Sequence, residues 1–125
     1  MNKIAIDIHG VINKDPEFFK RLSEIINKIK GVELHIVTGS ELYEVKDKLK
    51  DWGIIYDKFF SIVGYHKSID TPITYNSKGQ VYLDDYLWDK TKGDYCKAMG
   101  IDIIIDDTLR YAKYMPSHTH FHLYK

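Results

Sequence analysis

Short apolar runs that alternate with helical patterns constrain the fold of this chain more than any other feature of its sequence. The first run, Lys3 to Ile8, is almost continuously apolar, as is typical of a strand that a parallel sheet buries on both faces. Further strands are predicted at Glu33 to Val37, Phe59 to Val63 and Ile101 to Ile105. Because strands and helices alternate along the chain, the pattern predicts a three-layer α/β domain with a mainly parallel sheet.

The segments between these strands carry helix signals. A helix is predicted from Pro16 to about Lys30, because Asp15 is a good N-cap, proline suits the first helical position, and apolar residues recur at helical spacing. A second helix is predicted from a cap at Ser40 to about Trp52. Shorter helices are expected at 92–99 and 109–114, the first of them stopped by a glycine.

The stretch at 64–90 is less regular and contains a hairpin signal. Ile73 to Tyr75 and Gln80 to Leu83 flank the turn sequence Asn76 to Gly79, which predicts a small β-hairpin inserted at about 70–86. An edge strand is predicted at Thr119 to Tyr124.

Length, charge and cysteine content exclude several classes of protein. The 125 residues are expected to form a single domain, and the 18 basic residues balance 18 acidic ones. A chain without net charge has no overall field to attract nucleic acid or an anionic membrane, and no apolar run approaches the roughly 20 residues of a membrane span. Cys96 is the only cysteine, which excludes an internal disulfide and zinc sites built on cysteine pairs.

The start of the chain bears on its location. The segment Met1 to Asp7 places a carboxylate inside its apolar stretch and has no small-residue cleavage site, so it does not resemble a signal peptide. We therefore predict a cytoplasmic protein, a monomer or homodimer, with no nucleic-acid or membrane partner.

Polar side chains end three of the predicted strands. These are Asp7, Thr38 and the pair Asp106 and Asp107. Ligands bind beyond the carboxyl ends of parallel strands, and a buried carboxylate is costly unless it is paired. Carboxylates that meet at one sheet edge repel each other, and a hard cation such as Mg²⁺ would relieve that repulsion. Asp7 is then a candidate nucleophile toward phosphorus, because a carboxylate needs no deprotonation at neutral pH.

These residues also carry a resemblance to a known family. Ile4 to Ile12 resembles the first motif of the haloacid dehalogenase-like (HAD-like) superfamily, an apolar strand ending Asp-x-Asp-Gly-x. Ile36 to Ser40 resembles its second motif, and Ile103 to Asp107 resembles its fourth, a strand that ends in an acidic pair. Lys92 lies where the lysine of the third motif would fall. The resemblance covers most of the chain and implies a Rossmann-like, minimal HAD-like core.

The resemblance implies a function and a set of catalytic residues. The protein would be a Mg²⁺-dependent phosphohydrolase that acts on a small phosphorylated compound, such as a nucleotide or a sugar phosphate. Asp7 would attack the phosphoryl group and form an aspartyl-phosphate, and Thr38 would hydrogen-bond a phosphoryl oxygen. Gly39 and Ser40 would contribute to phosphate binding, and Lys92 would offset the negative charge and help to fix the nucleophile.

The resemblance also implies a metal site, with one departure beside it. The Mg²⁺ ligands would be Asp7, the backbone carbonyl of His9, and Asp106 or Asp107. His9 stands where the family's phosphatases have the Asp that protonates the leaving group and then activates water. In one interpretation His9 does this work, since imidazole titrates near neutrality. In the other the acid is lost, and the protein is a catalytically impaired binding or regulatory protein.

Other residues compete for parts of this site. Lys67 and Lys90 are alternatives to Lys92. Asp84 and Asp85 form a second acidic pair after an apolar run; we interpret it as a solvated hairpin end, but it is the main rival for the metal carboxylates. A receiver-type signalling domain fits less well, because its acidic pair follows the first strand.

Two further expectations concern the surroundings of the site. The segment between Asp7 and Thr38 is too short for a cap domain and the hairpin is too small for a full one, so we expect an open site. Three histidines alternate along the last predicted strand and would face one way, which we interpret as an exposed strand face: His118, His120 and His122.

Overall fold

The computed structural model describes residues 2–125, which form a parallel sheet with helices on both faces and a separate hairpin. The elements follow in the order β1 (Lys3–Ile6), α1 (Pro16–Asn27), β2 (Glu33–Thr38), α2 (Leu42–Trp52), β3 (Lys58–Ser61), α3 (Ile62–Ser68), β4 (Thr74–Tyr75), β5 (Val81–Tyr82), α4 (Asp85–Met99), β6 (Ile103–Asp106) and β7 (His120–Leu123). Short 3₁₀ segments lie at Ile12–Lys14 and Leu109–Tyr114. The predicted α/β class and mainly parallel sheet are confirmed.

The order of the strands fixes where ligands can bind. The five-stranded sheet runs β3-β2-β1-β6-β7, and every neighbouring pair is parallel. From β1 the chain winds outward to β2 and β3, then returns to β6 on the other side of β1. Such a switch point opens a crevice at the carboxyl ends of the two strands, as in Rossmann-like folds. Asp7 follows β1 and Asp106 ends β6, so both acids lie at this crevice.

Alternation along the central strands builds two cores. Ile6 of β1 packs with Phe19 of α1 and Leu49 of α2 on one face of the sheet. Its neighbour Ala5 packs on the other face with Cys96 of α4, so the cysteine is a core residue. The two cores hold the sheet between two helical layers, as the three-layer prediction required.

The first two helices differ from their predictions at their ends. Asp15 caps α1 as predicted, but the helix ends at Asn27, before the predicted Lys30. The predicted cap of α2 at Ser40 is wrong: the N-cap is Glu41, whose N–H donates to Oε1 of Glu44 at 3.1 Å. This reciprocal arrangement of two acidic residues at the helix start is a capping box, and it leaves the Ser40 hydroxyl free for another contact.

The third predicted strand ends early and turns into a helix. The chain was expected to stay extended to Val63, but β3 ends at Ser61 and α3 begins at Ile62. The Ser61 hydroxyl accepts the N–H of Gly64 at 2.9 Å, and the N–H of Val63 donates to the Gly39 carbonyl at 3.3 Å. A side-chain cap and a contact to the end of β2 therefore override the β-branched composition of this segment.

Helix α4 is much longer than predicted. It begins at Asp85 rather than at Lys92, and Asp84 is its N-cap, with a side chain that accepts the N–H of Leu87 at 3.2 Å. Asp84 and Asp85 are both exposed at the helix start. The structure thus gives this pair a capping role and places neither acid in the carboxylate cluster at the sheet edge.

The predicted hairpin and last strand are present, but each of their strands is shorter than predicted and His118 lies outside β7. Strands β4 and β5 pair in antiparallel fashion, and the Asn76 side chain closes the turn by accepting the N–H groups of Lys78 and Gln80, each at 2.9 Å. Strand β7 lies at the sheet edge beside β6, with His120 and His122 exposed. None of the helices within residues 2–125 has both the length and the apolar character to cross a membrane.

Candidate active site

Three carboxylates meet at the switch point of the sheet. Oxygen atoms of Asp7, Asp106 and Asp107 all lie within 4.8 Å of one another. Asp7 and Asp106 are buried, with exposed fractions of 6 % and 0 %, whereas Asp107 is exposed. The sequence predicted this convergence from the polar residues at the ends of β1 and β6. Carboxylate oxygens at this spacing are suitable ligands for a hard divalent cation.

Lys92 is the lysine that enters the carboxylate cluster. Its Nζ atom lies 2.6 Å from Oδ2 of Asp106 and 3.4 Å from Oδ2 of Asp7, and its side chain is buried. Neither alternative lysine enters the carboxylate cluster: Lys67 pairs with Glu41 at 3.2 Å, and Lys90 pairs with its helix neighbour Asp94 at 3.6 Å. Lys92 reaches the cluster from the interior of α4, not from the start of a helix as the sequence suggested.

The charges in this cluster are not balanced. Burial acts to lower the pKa of Lys92, but the neighbouring carboxylates of Asp7 and Asp106 outweigh it, and the pKa is raised. Burial also raises the pKa of Asp106, and repulsion from Asp7 adds to that effect against the attraction of Lys92. The main causes differ, because the carboxylates raise the pKa of Lys92 whereas burial raises that of Asp106. A single ammonium group serves two buried carboxylates. A divalent cation at the cluster would compensate the remaining negative charge.

Thr38 supplies a buried hydroxyl that no protein group satisfies. It ends β2 beside β1 and is 0 % exposed. Within residues 2–125, its Oγ1 is the only buried side-chain nitrogen or oxygen without a hydrogen-bond partner. Such a group costs about 1–3 kcal/mol, so buried hydroxyls without partners are rare in folded proteins. Thr38 lines a cavity at this edge of the sheet, where an oxygen of a ligand can pair with the hydroxyl.

Gly10 allows the third carboxylate to approach the loop after β1. Its φ angle is +84°, and a Cβ atom at this position would overlap the carboxylate of Asp107. Asp107 is held from its other side by the hydroxyl of Thr108, which donates to Oδ1 at 3.2 Å. A glycine is therefore required both by the backbone conformation and by the space that Asp107 occupies.

His9 lies on the exposed side of the site. Its Nε2 atom is 3.1 Å from the hydroxyl oxygen of Ser40, which joins the loop after β1 to the loop after β2. The Ser40 hydroxyl is free for this contact because Glu41, not Ser40, is the N-cap of α2. The contact places the imidazole on the wall of the same cavity that Asp7 lines.

The cavity above these groups has a volume of about 630 Å³. The residues predicted from sequence that line it are Asp7, His9, Thr38, Gly39, Ser40, Lys92 and Asp107. Asp106 lies beneath its floor, fully buried. Sequence reasoning missed several of the wall residues, which are Glu41, Tyr43, Glu44, Tyr75, Gln80, Trp88 and Tyr111. It considered Lys67, which also lines the cavity, only as an alternative to Lys92. The hairpin thus forms one wall of the cavity, although it is too small to enclose it.

Two of the missed residues support Lys92 and the loop after β2. The indole nitrogen of Trp88 donates to the hydroxyl of Tyr111 at 2.8 Å, and the Tyr111 ring lies 4.8 Å from the Lys92 ammonium. The edge of Trp88 packs on Gly39, where a Cβ atom would lie only 2.7 Å from Cζ2. The signal for Trp88 was present in the sequence, since it precedes Lys92 by one helical turn.

Comparisons of the chain with protein-family models, with curated proteins and with solved structures find no match. The case for a function therefore depends on the geometry and the chemistry of this cavity.

Proposed function

We propose that this chain is a Mg²⁺-dependent phosphohydrolase of HAD-like type, which cleaves a phosphate monoester of a small compound through an aspartyl-phosphate on Asp7. The observation that carries the proposal is the meeting of three carboxylates and the buried Lys92 at the base of one cavity. The cavity opens at the carboxyl ends of parallel strands, where α/β proteins bind their ligands.

The donor set fits magnesium. Asp7, Asp107 or Asp106, and the backbone carbonyl of His9 would supply hard oxygen ligands, and the excess negative charge of the cluster favours a divalent cation. Asp106 is already engaged by Lys92 and by the N–H of Thr108, at 2.6 and 2.9 Å. Bound Mg²⁺ would neutralise charge on the phosphoryl oxygens and so make the phosphorus more electrophilic.

Asp7 is oriented for attack on phosphorus. One of its oxygens, Oδ1, accepts the N–H of Ile8 at 2.8 Å, while Oδ2 lies 3.4 Å from the Lys92 ammonium. A carboxylate oxygen of Asp7 forms the new bond to phosphorus as the bond to the leaving oxygen breaks. The Thr38 hydroxyl donates to a phosphoryl oxygen in this step, which gives that hydroxyl the partner it lacks in the protein.

His9 would move the proton that each half of the reaction requires. The protonated imidazole gives its proton to the departing oxygen, so that the alcohol leaves uncharged. The neutral imidazole then takes a proton from the water that attacks the phosphorus of the aspartyl-phosphate. Phosphate is released, the Asp7 carboxylate is restored, and His9 is protonated again. The contact of His9 with Ser40 would hold the ring at the cavity rim during both steps.

The first experiment measures phosphate release from p-nitrophenyl phosphate and from a panel of nucleotides and sugar phosphates, with Mg²⁺ and with EDTA. We expect release that requires Mg²⁺ and that Asp7→Asn abolishes. Asp85→Asn removes the same charge from an exposed helix start and serves as the matched control. Activity that survives in Asp7→Asn would remove Asp7 as the nucleophile.

A second pair of variants tests His9. His9→Ala should lower the rate well below that of the wild type, whereas His9→Asp should keep or raise it, because a carboxyl group restores an acid and base at this place. His120→Ala, an exposed histidine on β7 outside the cavity, is the control. If Mg²⁺ raises the thermal stability while no phosphate is released from any substrate, a binding or regulatory protein of the same fold is the better description.

A further inference from the structure

The cavity extends well beyond what a phosphoryl group occupies. Its volume of about 630 Å³ lies in the range of roughly 300–1,000 Å³ that is typical of sites for whole small molecules. The carboxylates, Thr38 and Lys92 form one end. The organic part of a substrate must occupy the remainder, so the residues of the outer wall determine which organic groups fit.

The outer wall presents aromatic rings from separate elements. Tyr43 belongs to the first turn of α2 and is 76 % exposed, and Tyr75 belongs to β4 and is 56 % exposed. Trp88 of α4 lines the same cavity nearer to the phosphate end. Tyr43 and Tyr75, each more than half exposed on the cavity wall, are available for stacking on a flat ligand.

Lys67 lies beside these rings and holds the start of α2. Its ammonium group lies 3.2 Å from the carboxylate of Glu41, the N-cap of α2. Lys67 itself belongs to α3 and lines the cavity together with Tyr75 of the hairpin. An ion pair between α3 and α2 therefore supports the segment from which Tyr43 reaches the cavity wall.

The charge at the mouth restricts what the organic group can carry. Glu41 and Glu44 both line the cavity there, and Lys67 balances only one of them. A second phosphate at this end would meet net negative charge and be repelled. Carboxylates do accept hydrogen bonds from hydroxyl and amino groups. The mouth therefore suits a neutral group with such donors and a flat ring.

We propose that the site takes a nucleoside monophosphate, with its phosphate at Asp7 and its base stacked against Tyr75 and Tyr43. The phosphate end of this assignment rests on the proposed function, whereas the base end rests on the aromatic wall alone. Ribose hydroxyls or the amino group of a base would donate to Glu41 or Glu44. Sugar phosphates, nucleoside di- and triphosphates and longer polynucleotides fit this wall less well.

Adenosine 5′-monophosphate and ribose 5-phosphate test the base end, because they share the sugar and the 5′-phosphate and only the nucleotide carries a base in place of the hydroxyl at C1. Phosphate release gives the KM for each, and an NMR titration of the Mg²⁺-loaded protein gives the Kd without need of turnover. Stacking of one base on an aromatic side chain predicts a KM and a Kd about tenfold lower for the nucleotide. Adenosine 5′-triphosphate should bind more weakly than the monophosphate.

Three variants locate the effect at the aromatic wall. In Tyr75→Leu the affinities for adenosine 5′-monophosphate and for ribose 5-phosphate should become similar. Tyr75→Phe keeps the ring and should preserve most of the difference between these two affinities. Tyr82→Leu is the matched control, because Tyr82 lies on the same hairpin with 59 % exposure but does not line the cavity. Ribose 5-phosphate should bind equally well to all three.

The possible results separate this inference from the proposed function. Equal affinities of the wild type for the two compounds, with phosphate released from both, would overturn the nucleotide assignment and leave the phosphohydrolase in place. A tenfold preference in binding without any phosphate release would support the aromatic wall and contradict the enzymatic proposal. A preference that Tyr75→Leu leaves intact would also overturn the assignment.

Discussion

The ammonium group of Lys92 lies 2.6 Å from the carboxylate of Asp106, and at most 2 % of either side chain is exposed. The pair joins the middle of α4 to the end of β6. Two charges that have been removed from water to this extent depend on each other, because either one alone would remain buried without compensation. Lys92 therefore has a structural role that its place beside the candidate nucleophile does not reveal.

Replacement of Lys92 should destabilise the fold as well as the site. Lys92→Met leaves two buried carboxylates without their cation, and we expect the free energy of unfolding in urea to fall by about 3–5 kcal/mol. Lys90→Met, two positions along the same helix, removes an ion pair at 3.6 Å on the surface and should cost less than about 1 kcal/mol. Similar losses in the two variants would contradict the buried pair.

Thr38→Val should have opposite effects on stability and on ligand binding. The substitution keeps the shape but removes a hydroxyl that has no partner, so the free energy of unfolding should rise by about 1 kcal/mol. Affinity for phosphate in the presence of Mg²⁺ should fall at the same time. Thr91→Val is the control. It removes a hydroxyl whose oxygen lies 2.8 Å from Nε2 of His66, so this variant should be less stable than the wild type. A destabilised Thr38→Val would show that the hydroxyl is satisfied in solution.

Gly10→Ala should displace Asp107, which the proposed function makes a metal ligand. The added Cβ atom would overlap the Asp107 carboxylate, and we expect the rise in thermal stability with Mg²⁺ to shrink. Gly31→Ala is a close control, since its φ of +83° matches the +84° of Gly10 but nothing lies within 4 Å of its Cβ position. Gly31→Ala should lose about 1–2 kcal/mol from backbone strain alone and keep the full effect of Mg²⁺. Equal Mg²⁺ effects in both would place Asp107 outside the metal site.

His66 should make the fold sensitive to mild acid. Its ring is hydrogen-bonded to Thr71 and Thr91 at 2.8 Å each, and burial lowers its pKa below the ordinary 6.5, with a further contribution from Lys90 that Asp94 opposes. As the pH falls below 6.5, the unfolded chain takes up the proton first, so the free energy of unfolding decreases. Well above 6.5 the ring is neutral in both states and contributes no pH dependence.

Urea unfolding of the wild type and of His66→Gln between pH 5 and 8 measures this effect. The wild type should lose more stability than the variant as the pH falls from 6.5 toward 5. Thr71→Val keeps the titrating ring and loses one hydrogen bond, so it should be less stable at pH 7.5 and keep the decline below 6.5. If the free energy of unfolding falls equally with pH in the wild type and in His66→Gln, His66 is not the source of the sensitivity to acid.

Local sequence predicted the sheet and its acids because these depend on apolar runs and on the polar residues at the ends of those runs. The same rule failed at Ile62 and Val63, whose β-branched side chains favour a strand by composition. There the cap by Ser61 and the bond from Val63 to Gly39 start a helix instead. A contact with a residue so distant in sequence leaves no local signal.

The choice among the lysines shows the same limit and one missed clue. Sequence reasoning left Lys92, Lys90 and Lys67 open because a chain with 16 lysines offers many chance matches, and it began the helix at Lys92 itself. With the helix begun at Asp85, Lys92 falls one turn after Trp88 and one turn before Cys96, on the buried side of α4. By contrast, no local pattern brings Tyr43 and Tyr75 to one cavity wall, since that depends on how the hairpin packs.

The hairpin of β4 and β5 lies outside the main sheet, and the hydrogen bonds of its turn stay within the turn. Its tip can therefore lengthen, shorten or change in composition without disturbing the strands that position the acids. Under the proposed function, divergence in this one segment would alter the range of accepted compounds while the acids at the sheet edge are kept. With this arrangement, substrate selectivity and catalytic activity can evolve at different rates.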